Sequence, residues 1–145
     1  MTMNYVRLRA VFFLFLLSVA FIGCRANQDK QSGANKTDTS AAAQHVLSQF
    51  AAGEFSQIYK ESAPGFKEAG SEADFVAQFQ QVRKKTGELK NPKETSFEPR
   101  PDNMYVITYR MENEHVVADV HLTFVRSADG KMVLAGLHEH DEPRK

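Results

Sequence analysis

The sequence has one cysteine, no tryptophan and no excess of charge, since 18 basic residues balance 18 acidic ones over a length of 145 residues. A single cysteine excludes an intramolecular disulfide, so an exported domain would have to be stable through its core alone. A balanced charge gives no electrostatic reason to expect nucleic acid, which selects strongly basic surfaces. We therefore predict that the chain has no nucleic-acid partner.

Long apolar runs are also scarce, apart from residues 10–23, which follow Arg7 and Arg9. A membrane-spanning helix needs roughly 20 apolar residues, so this run is short for a permanent span. A basic start followed by a short apolar run is typical of a secretory signal peptide. Residues 1–23 are therefore predicted to be an export signal.

The single cysteine stands at the end of that run, in the sequence Phe21-Ile22-Gly23-Cys24. This stretch resembles the lipobox of bacterial lipoprotein precursors, in which the signal is cut before a cysteine that receives a diacylglyceryl group. Gly23 and Cys24 match the pattern, whereas leucine is usual in place of Phe21 and a small residue in place of Ile22. The resemblance implies lipidation of Cys24 by acyl chains such as palmitate, and anchoring in membrane lipid of the bacterial cell envelope, with the domain on the periplasmic or extracellular side.

An ordinary cleavage after Ser18-Val19-Ala20 is the alternative, because this tripeptide fits the small-x-small rule. It would leave Cys24 as an unpaired thiol in an exported protein. Residues 25–40 are polar except for Ala26 and Ala34, so they cannot bury enough surface to fold. We predict that residues 24–40 are the lipidated cysteine and a flexible tether, that residues 41–140 form one domain, and that residues 141–145 are a polar tail.

Helical periodicity indicates three helices at the start of that domain. The first has Thr39 or Ser40 as its N-cap, ends at Gly53, and carries one apolar stripe: Ala43, Val46, Leu47 and Phe50. A second, short helix covers Phe55 to Ser62 and is ended by Pro64-Gly65.

The third helix opens with a variant of the capping box, Ser71-Glu72-Ala73-Asp74, and ends at Gly87. Its apolar stripe contains Phe75, Phe79, Val82 and Thr86. After Gly87 the apolar period changes to two, which predicts a short edge strand at residues 95–98 and longer strands at 103–111, 115–126 and 131–140.

The strands also allow a prediction of register. If Glu112 pairs with His115 and Arg126 pairs with Lys131, the inward-facing side chains of both hairpins form one continuous apolar face. That face contains Tyr105, Ile107, Tyr109, Ala118, Val120, Leu122, Phe124, Val133, Ala135 and Leu137. The predicted fold is α+β, with three N-terminal helices packed on one face of a curved, about four-stranded antiparallel sheet.

This pattern resembles the cystatin-like, nuclear-transport-factor-like roll, and specifically a family of small exported bacterial proteins whose domain has no known function. Four stretches carry the resemblance: Gly53-Glu54-Phe55 through Ile58-Tyr59, Ala63-Pro64-Gly65-Phe66, Val82-Arg83 to Gly87, and Tyr105-Val106-Ile107-Thr108-Tyr109. It covers about residues 41 to 140. These are mostly core and turn positions, so the resemblance implies a fold and no catalytic residue.

Enzymes of the resembled fold hold a His/Asp pair between sheet and helices, and Asp119 and His121 are the candidates here. The predicted register points both away from the helices, so we predict no catalytic residues and no cofactor. His138 and His140 project to the same outer side as His121, an arrangement that can bind zinc. Histidines near a hydrophilic C-terminus are usually solvated, and we predict no metal.

Two binding surfaces remain. Tyr59, Tyr105 and Tyr109 are predicted to face the interior, where their hydroxyls could line a small-ligand pocket or simply reach its rim from the core. The outer sheet face is predicted to expose six apolar side chains, at Met104, Val106, Val117, Val125, Met132 and Leu134, an extent that often marks an interface.

We therefore predict a lipid-anchored envelope protein with a domain that is not an enzyme and that acts through binding or protein contacts, either as a homodimer or with another envelope protein. The alternative is a small-molecule carrier or an enzyme that uses the cavity between sheet and helices. A carrier needs an open interior with polar tips, whereas an interaction domain can have a filled interior and an apolar outer sheet.

Overall fold

The computed structural model describes residues 22–88, 90–113 and 115–143, so the signal peptide predicted at residues 1–23 lies outside the described residues apart from its last two. Four helices are described: α1 (Ile22–Ala52), α2 (Phe55–Glu61), α3 (Pro64–Glu68) and α4 (Glu72–Thr86). They are followed by four strands: β1 (Lys90–Arg100), β2 (Met104–Glu112), β3 (Val116–Arg126) and β4 (Met132–Pro143). The described residues thus form an α+β fold, as predicted.

Helix α1 begins earlier than the sequence suggests, and the predicted N-cap at Thr39 or Ser40 is wrong because the helix continues through both residues. Thr39 is fully buried, and Ser40 Oγ donates a hydrogen bond to Glu94 at 3.2 Å. Asp38 Oδ2 accepts a 2.7 Å bond from Arg126 Nη2. These contacts join residues 38–40 to the sheet, so they belong to the domain and not to a tether.

The chain divides into two units, Met1–Lys36 and Thr37–Lys145, so the domain begins four residues before the predicted boundary at residue 41. The described part of the first unit is helical, whereas its polar composition predicts a flexible coil. A tethering role for residues 25–36 stays a prediction. No helix in the described ranges is long and apolar enough to cross a membrane.

The other helices begin and end where local chemistry directs them. Helix α1 ends at Gly53, whose φ of +78° is a left-handed conformation that glycine adopts without strain. Pro64 is predicted to end a helix, but it also starts α3, since proline is favoured in a first helical turn. Helix α4 starts as predicted, with Ser71 Oγ accepting a 3.2 Å bond from the Asp74 amide, and it ends at Gly87.

The sheet is an antiparallel meander in the order β1-β2-β3-β4, with the first hairpin two residues away from the predicted register. Tyr109 lies opposite Val120, and Ile107 opposite Leu122. A shift of two leaves every side chain on its predicted face, so the inward face of β2 and β3 is confirmed. The turn sets the shift, because Asn113 Oδ1 accepts the amide hydrogens of His115 and Val116, both at 2.8 Å.

The pairing of β3 with β4 in the second hairpin differs from the prediction in which side chains face inward. Phe124 lies opposite Leu134, whereas Thr123 lies opposite Gly136, so Ala135 is the extra residue of a β-bulge. Leu134 therefore turns inward and Val133 outward, the reverse of the prediction. The hairpin also starts one residue later than expected, because Arg126 pairs with Met132 and not with Lys131.

Helix and sheet side chains meet in one core on the inward face of the sheet. Ile58, Ile107, Leu122 and Phe124 are at most 1% exposed. Burial of each such side chain contributes about 1.5–3 kcal/mol relative to leaving it in water. A space of about 10 Å³ is enclosed between the middle of helix α1 and the sheet, room for about one water molecule, and a groove of about 130 Å³ opens between α1, α2 and strands β3 and β4. The middle of the core is therefore closely packed.

Candidate functional site

The sheet face that points away from the helices carries an apolar region at one end. We call this region the outer patch and define it by six residues: Met104, Val106, Thr123, Val125, Val133 and Gly136. The cross-strand pairs join it into one surface, because Val125 lies between Met104 and Val133 while Thr123 lies between Val106 and Gly136. Each residue of the patch is partly exposed.

Only some residues of the predicted interface lie in the outer patch. Met104, Val106 and Val125 lie in the outer patch as predicted, and Val117 is on the same face but at its opposite end, between Glu112 and Glu142.

Leu134 is predicted to be exposed, and this is wrong; Met132 is partly exposed, but it lies on the helix side and not on the outer face. Leu134 is only 3% exposed, and Met132 packs against the core. The bulge at Ala135 is the physical reason, because it exchanges the two faces at this end of β4. Val133 takes the outward place that the prediction gave to Leu134.

Gly136 lies at the edge of the outer patch, on strand β4, where there is little room for a side chain. A Cβ atom placed there would lie 3.3 Å from Thr123 Cβ, which is tighter than ordinary van der Waals contact. Glycine at this position therefore lets Thr123 lie against the neighbouring strand.

Beyond the patch the outer face becomes polar. Ser96 Oγ donates to Thr108 Oγ1 at 3.0 Å, and Thr108 Oγ1 is 2.9 Å from His121 Nδ1. The ring of His121 stacks on that of His138 with a centroid distance of 6.2 Å. This chain of contacts crosses all four strands and orients His121 through its hydrogen bond with Thr108.

The candidate catalytic pair lies in this polar region. Asp119 and His121 point away from the helices, as the register predicted, and Asp119 Oδ1 is 3.6 Å from Arg110 Nη1. His140 is 3.9 Å from a carboxylate oxygen of Glu142. Within the described ranges, no three histidine, cysteine, aspartate or glutamate side chains are grouped closely enough to hold a metal ion.

The three tyrosines of the predicted pocket have three different surroundings. The Tyr59 hydroxyl donates to the carbonyl oxygens of Gly70 and Lys67, at 2.8 and 3.3 Å, beside a surface groove of about 240 Å³. Tyr105 stacks on Phe97 with a centroid distance of 6.0 Å. Tyr109 is 3% exposed, and burial raises the pKa of its hydroxyl.

A second feature lies where helix α4 faces strand β4, and we call it the sheet–helix groove. It has a volume of about 250 Å³ and is lined by Gln78, Phe79, Val82, Lys85, Thr86, Leu137, His138, Glu139 and Asp141. Lys85 Nζ and Asp141 Oδ2 form an ion pair of 2.9 Å in its wall. Glu139 Oε1 is buried and has no hydrogen-bond partner among the described residues.

Sequence reasoning did not select Glu139, although a signal was present. The alternation that turns Leu137 inward also turns Glu139 inward, two residues further along β4. Burial raises the pKa of the Glu139 carboxyl above its ordinary value of 4.5, and the negative charge of Asp141 adds to the increase, while Lys85 opposes it. A charged residue on an inward alternation is thus the pattern that marks this position.

Cys24, the predicted lipidation site, is the third residue of helix α1, and its lipidation stays a prediction. The chain matches no protein-family model and has no significant match among curated proteins. The predicted resemblance to cystatin-like and nuclear-transport-factor-like proteins likewise stays a prediction.

Proposed function

We propose that this protein is a lipid-anchored component of the bacterial cell envelope whose domain is a non-catalytic interaction module. The domain associates through the outer patch with a second copy of the chain. The observation that carries this proposal is the partly exposed apolar surface formed by Met104, Val106, Val125 and Val133 on the sheet face opposite the helices. Exposed apolar patches of this kind are typical of interaction sites.

The anchor is Cys24, with the domain on the periplasmic or extracellular side of the membrane. One acyl chain holds a protein only marginally, whereas the two or more chains of a bacterial lipoprotein hold it stably. Anchored copies share a thin layer at the membrane, which raises their effective concentration. A modest patch is then sufficient for association.

The close packing of the middle of the core supports an interaction module over a carrier that would hold its ligand there. The space enclosed between α1 and the sheet is about 10 Å³, far below the roughly 300–1,000 Å³ of small-molecule sites. Asp119 forms a 3.6 Å ion pair with Arg110, and His121 Nδ1 lies 2.9 Å from Thr108 Oγ1, both on the side of the sheet away from that interior. Neither side chain is positioned for acid–base chemistry in a cleft.

A second copy suits the patch because association would shield its partly exposed apolar side chains from water. In a twofold dimer the same patch faces itself, so apolar meets apolar. The adjoining edge strand carries Glu98 and Arg100 as a 2.6 Å ion pair, so this border has no net charge with which two copies would repel each other. The second candidate function, a small-molecule carrier, is favoured by the sheet–helix groove, which lies elsewhere on the domain.

Cross-linking of the full chain in membranes tests the proposal. Cys24 is the only native cysteine, so a new cysteine introduced as Thr123→Cys reports contacts at the centre of the patch. A short bis-maleimide should produce a covalent dimer of this variant well above the wild-type level. Ser48→Cys, at an exposed position of helix α1, is the matched control and should not cross-link.

Adding Val106→Lys to the Thr123→Cys variant should abolish the cross-link, because it places a charge in the apolar contact. Equal cross-linking of Thr123→Cys and Ser48→Cys would contradict the proposal. Cross-linking to a different envelope protein, with no dimer, would support the outer patch as the contact surface. It would contradict a second copy of the chain as the partner.

A further inference from the structure

The sheet–helix groove has an apolar side and a charged side. Phe79 and Val82 of α4 face Leu137 of β4 across it, and these three side chains supply the apolar surface. Phe79 is itself buried against the aromatic cluster of the core, with its ring 4.4 Å from that of Phe75. The apolar side is therefore rigid, because its side chains are held by core packing.

The charged side has an excess of negative charge. Lys85 is paired with Asp141, and Glu139 carries a buried oxygen that receives no hydrogen bond from the described residues. A buried acceptor without a donor costs about 1–3 kcal/mol, and more when it is charged. The folded protein therefore retains an unfavourable free-energy contribution from the carboxyl group of Glu139. This group lines the groove, where a bound molecule can supply a donor to it.

We propose that the sheet–helix groove binds a small organic cation, namely a primary amine on a short apolar body. The ammonium group donates to Glu139, and the apolar body packs against Phe79, Val82 and Leu137. This site is separate from the outer patch, so the proposal goes beyond the interaction function.

Charge and size select this class of ligand. Two carboxylates, Glu139 and Asp141, face one ammonium group, that of Lys85, so an anion would meet net repulsion. An ammonium group has three donors and no acceptor, which matches an acceptor that lacks a donor. The groove volume of about 250 Å³ is just below the roughly 300–1,000 Å³ of sites for drug-sized molecules, so it suits a compact ligand.

The experiment uses benzylamine as the probe and benzyl alcohol as its neutral, nearly isosteric control. Binding to the full chain is followed by NMR, through the carboxyl carbon signal of Glu139. We expect benzylamine to bind at millimolar concentration and to lower the pKa of Glu139, because a bound cation favours the carboxylate. Benzyl alcohol should bind at least about tenfold more weakly, since it lacks the charge of a charge-assisted hydrogen bond.

Two variants of opposite expected effect make the test independent of folding defects. Glu139→Gln keeps the shape of the side chain and should weaken benzylamine binding by about tenfold or more. Lys85→Gln removes an ammonium group that competes with the ligand for the carboxylates of the groove, so it should strengthen benzylamine binding. The side chain of Lys85 is 73% exposed. Glu142→Gln, on an exposed residue of the same strand, should leave binding unchanged.

Three results would overturn the proposal. The first is equal affinity for the amine and the alcohol. The second is unchanged amine binding by Glu139→Gln, and the third is weaker amine binding by Lys85→Gln. None of these results bears on the outer patch, whose test is the cross-linking described above.

Discussion

Leu134 lies opposite Phe124 across β3 and β4, and both side chains are buried on the helix side of the sheet. One step further along the hairpin the pairing shifts at Ala135, so Gly136 and not Ala135 faces Thr123. This bulge determines which residues of β4 belong to the core and which belong to the outer patch. Leu134 thus stabilises the core, whereas Val133 contributes to the exposed outer patch.

The bulge predicts unequal effects of neighbouring truncations. Leu134→Ala should lower the free energy of unfolding by about 2–5 kcal/mol, because it leaves a cavity in a packed core. Val133→Ala should cost about 1 kcal/mol or less, since the side chain is partly exposed on the outer face. Urea denaturation of the two variants measures both values. The reverse order would mean that β4 pairs without the bulge.

The end of helix α1 predicts a glycine requirement at residue 53. Gly53 has a φ of +78°, and Arg83 lies over it while donating from Nη2 to the Ala51 carbonyl at 3.1 Å. Gly53→Ala should destabilise the domain by about 1–2 kcal/mol through backbone strain.

Gly65→Ala is the matched control for this glycine, because it lies in helix α3 with nothing within 4 Å of the added Cβ. It should be neutral or stabilising, since alanine restricts the unfolded chain. Thermal denaturation compares the two variants. Equal loss of stability in both would contradict the role of the left-handed conformation at Gly53.

The buried carboxyl predicts a pH dependence with a definite sign. Because the pKa of Glu139 is raised in the folded state, its contribution to stability is fully present below the ordinary value of 4.5 and is lost as pH rises through the folded-state pKa. The side chain of the Glu139→Gln variant cannot ionise, so the variant does not lose stability in this way as pH rises. The variant should therefore gain stability relative to wild type as pH rises from 4.5 through the folded-state pKa.

Denaturant melts at several pH values across this range measure the difference. Glu142→Gln is the control, because this carboxyl is exposed and its replacement should follow the wild-type pH profile. A Glu139→Gln variant that loses stability relative to wild type as pH rises would show that the carboxylate is stabilised in the fold.

The anchor is tested by chemistry at a single position. Metabolic labelling with a fatty-acid probe should mark the wild-type chain and leave Cys24→Ala unlabelled, because the chain has no other thiol to receive the lipid. The variant should also leave the membrane fraction when cells are broken. Label retained in Cys24→Ala would contradict lipidation at this residue.

Local sequence signals predicted much of the fold. The Ser71 cap, the ends at Gly53 and Gly87 and the alternation of β2 and β3 lie where sequence placed them, because each depends on a few adjacent residues. The position of Asn113 explains the register error in the first hairpin. Its side chain accepts two backbone hydrogen bonds and closes the turn two residues away from the symmetric pairing.

The remaining errors came from contacts between distant residues. The start of the domain was misplaced because Asp38 and Ser40 are held by Arg126 and Glu94, partners far along the chain. The bulge at Ala135 has no strong local signal apart from the glycine that follows it, since periodicity assumes one residue per step. That single insertion moved Met132 and Leu134 out of the predicted interface and brought Val133 into it.

The central claim is that copies of the chain associate through the outer patch, and the mass of the full chain solubilised in mild detergent tests it most directly. Light scattering corrected for bound detergent should give two copies for the wild type and one for Val125→Lys. Val117→Lys is the matched control, because Val117 lies on the same face but outside the patch, and it should remain at two copies. A Val125→Lys variant with the wild-type mass, or a wild type of one copy, would contradict the account.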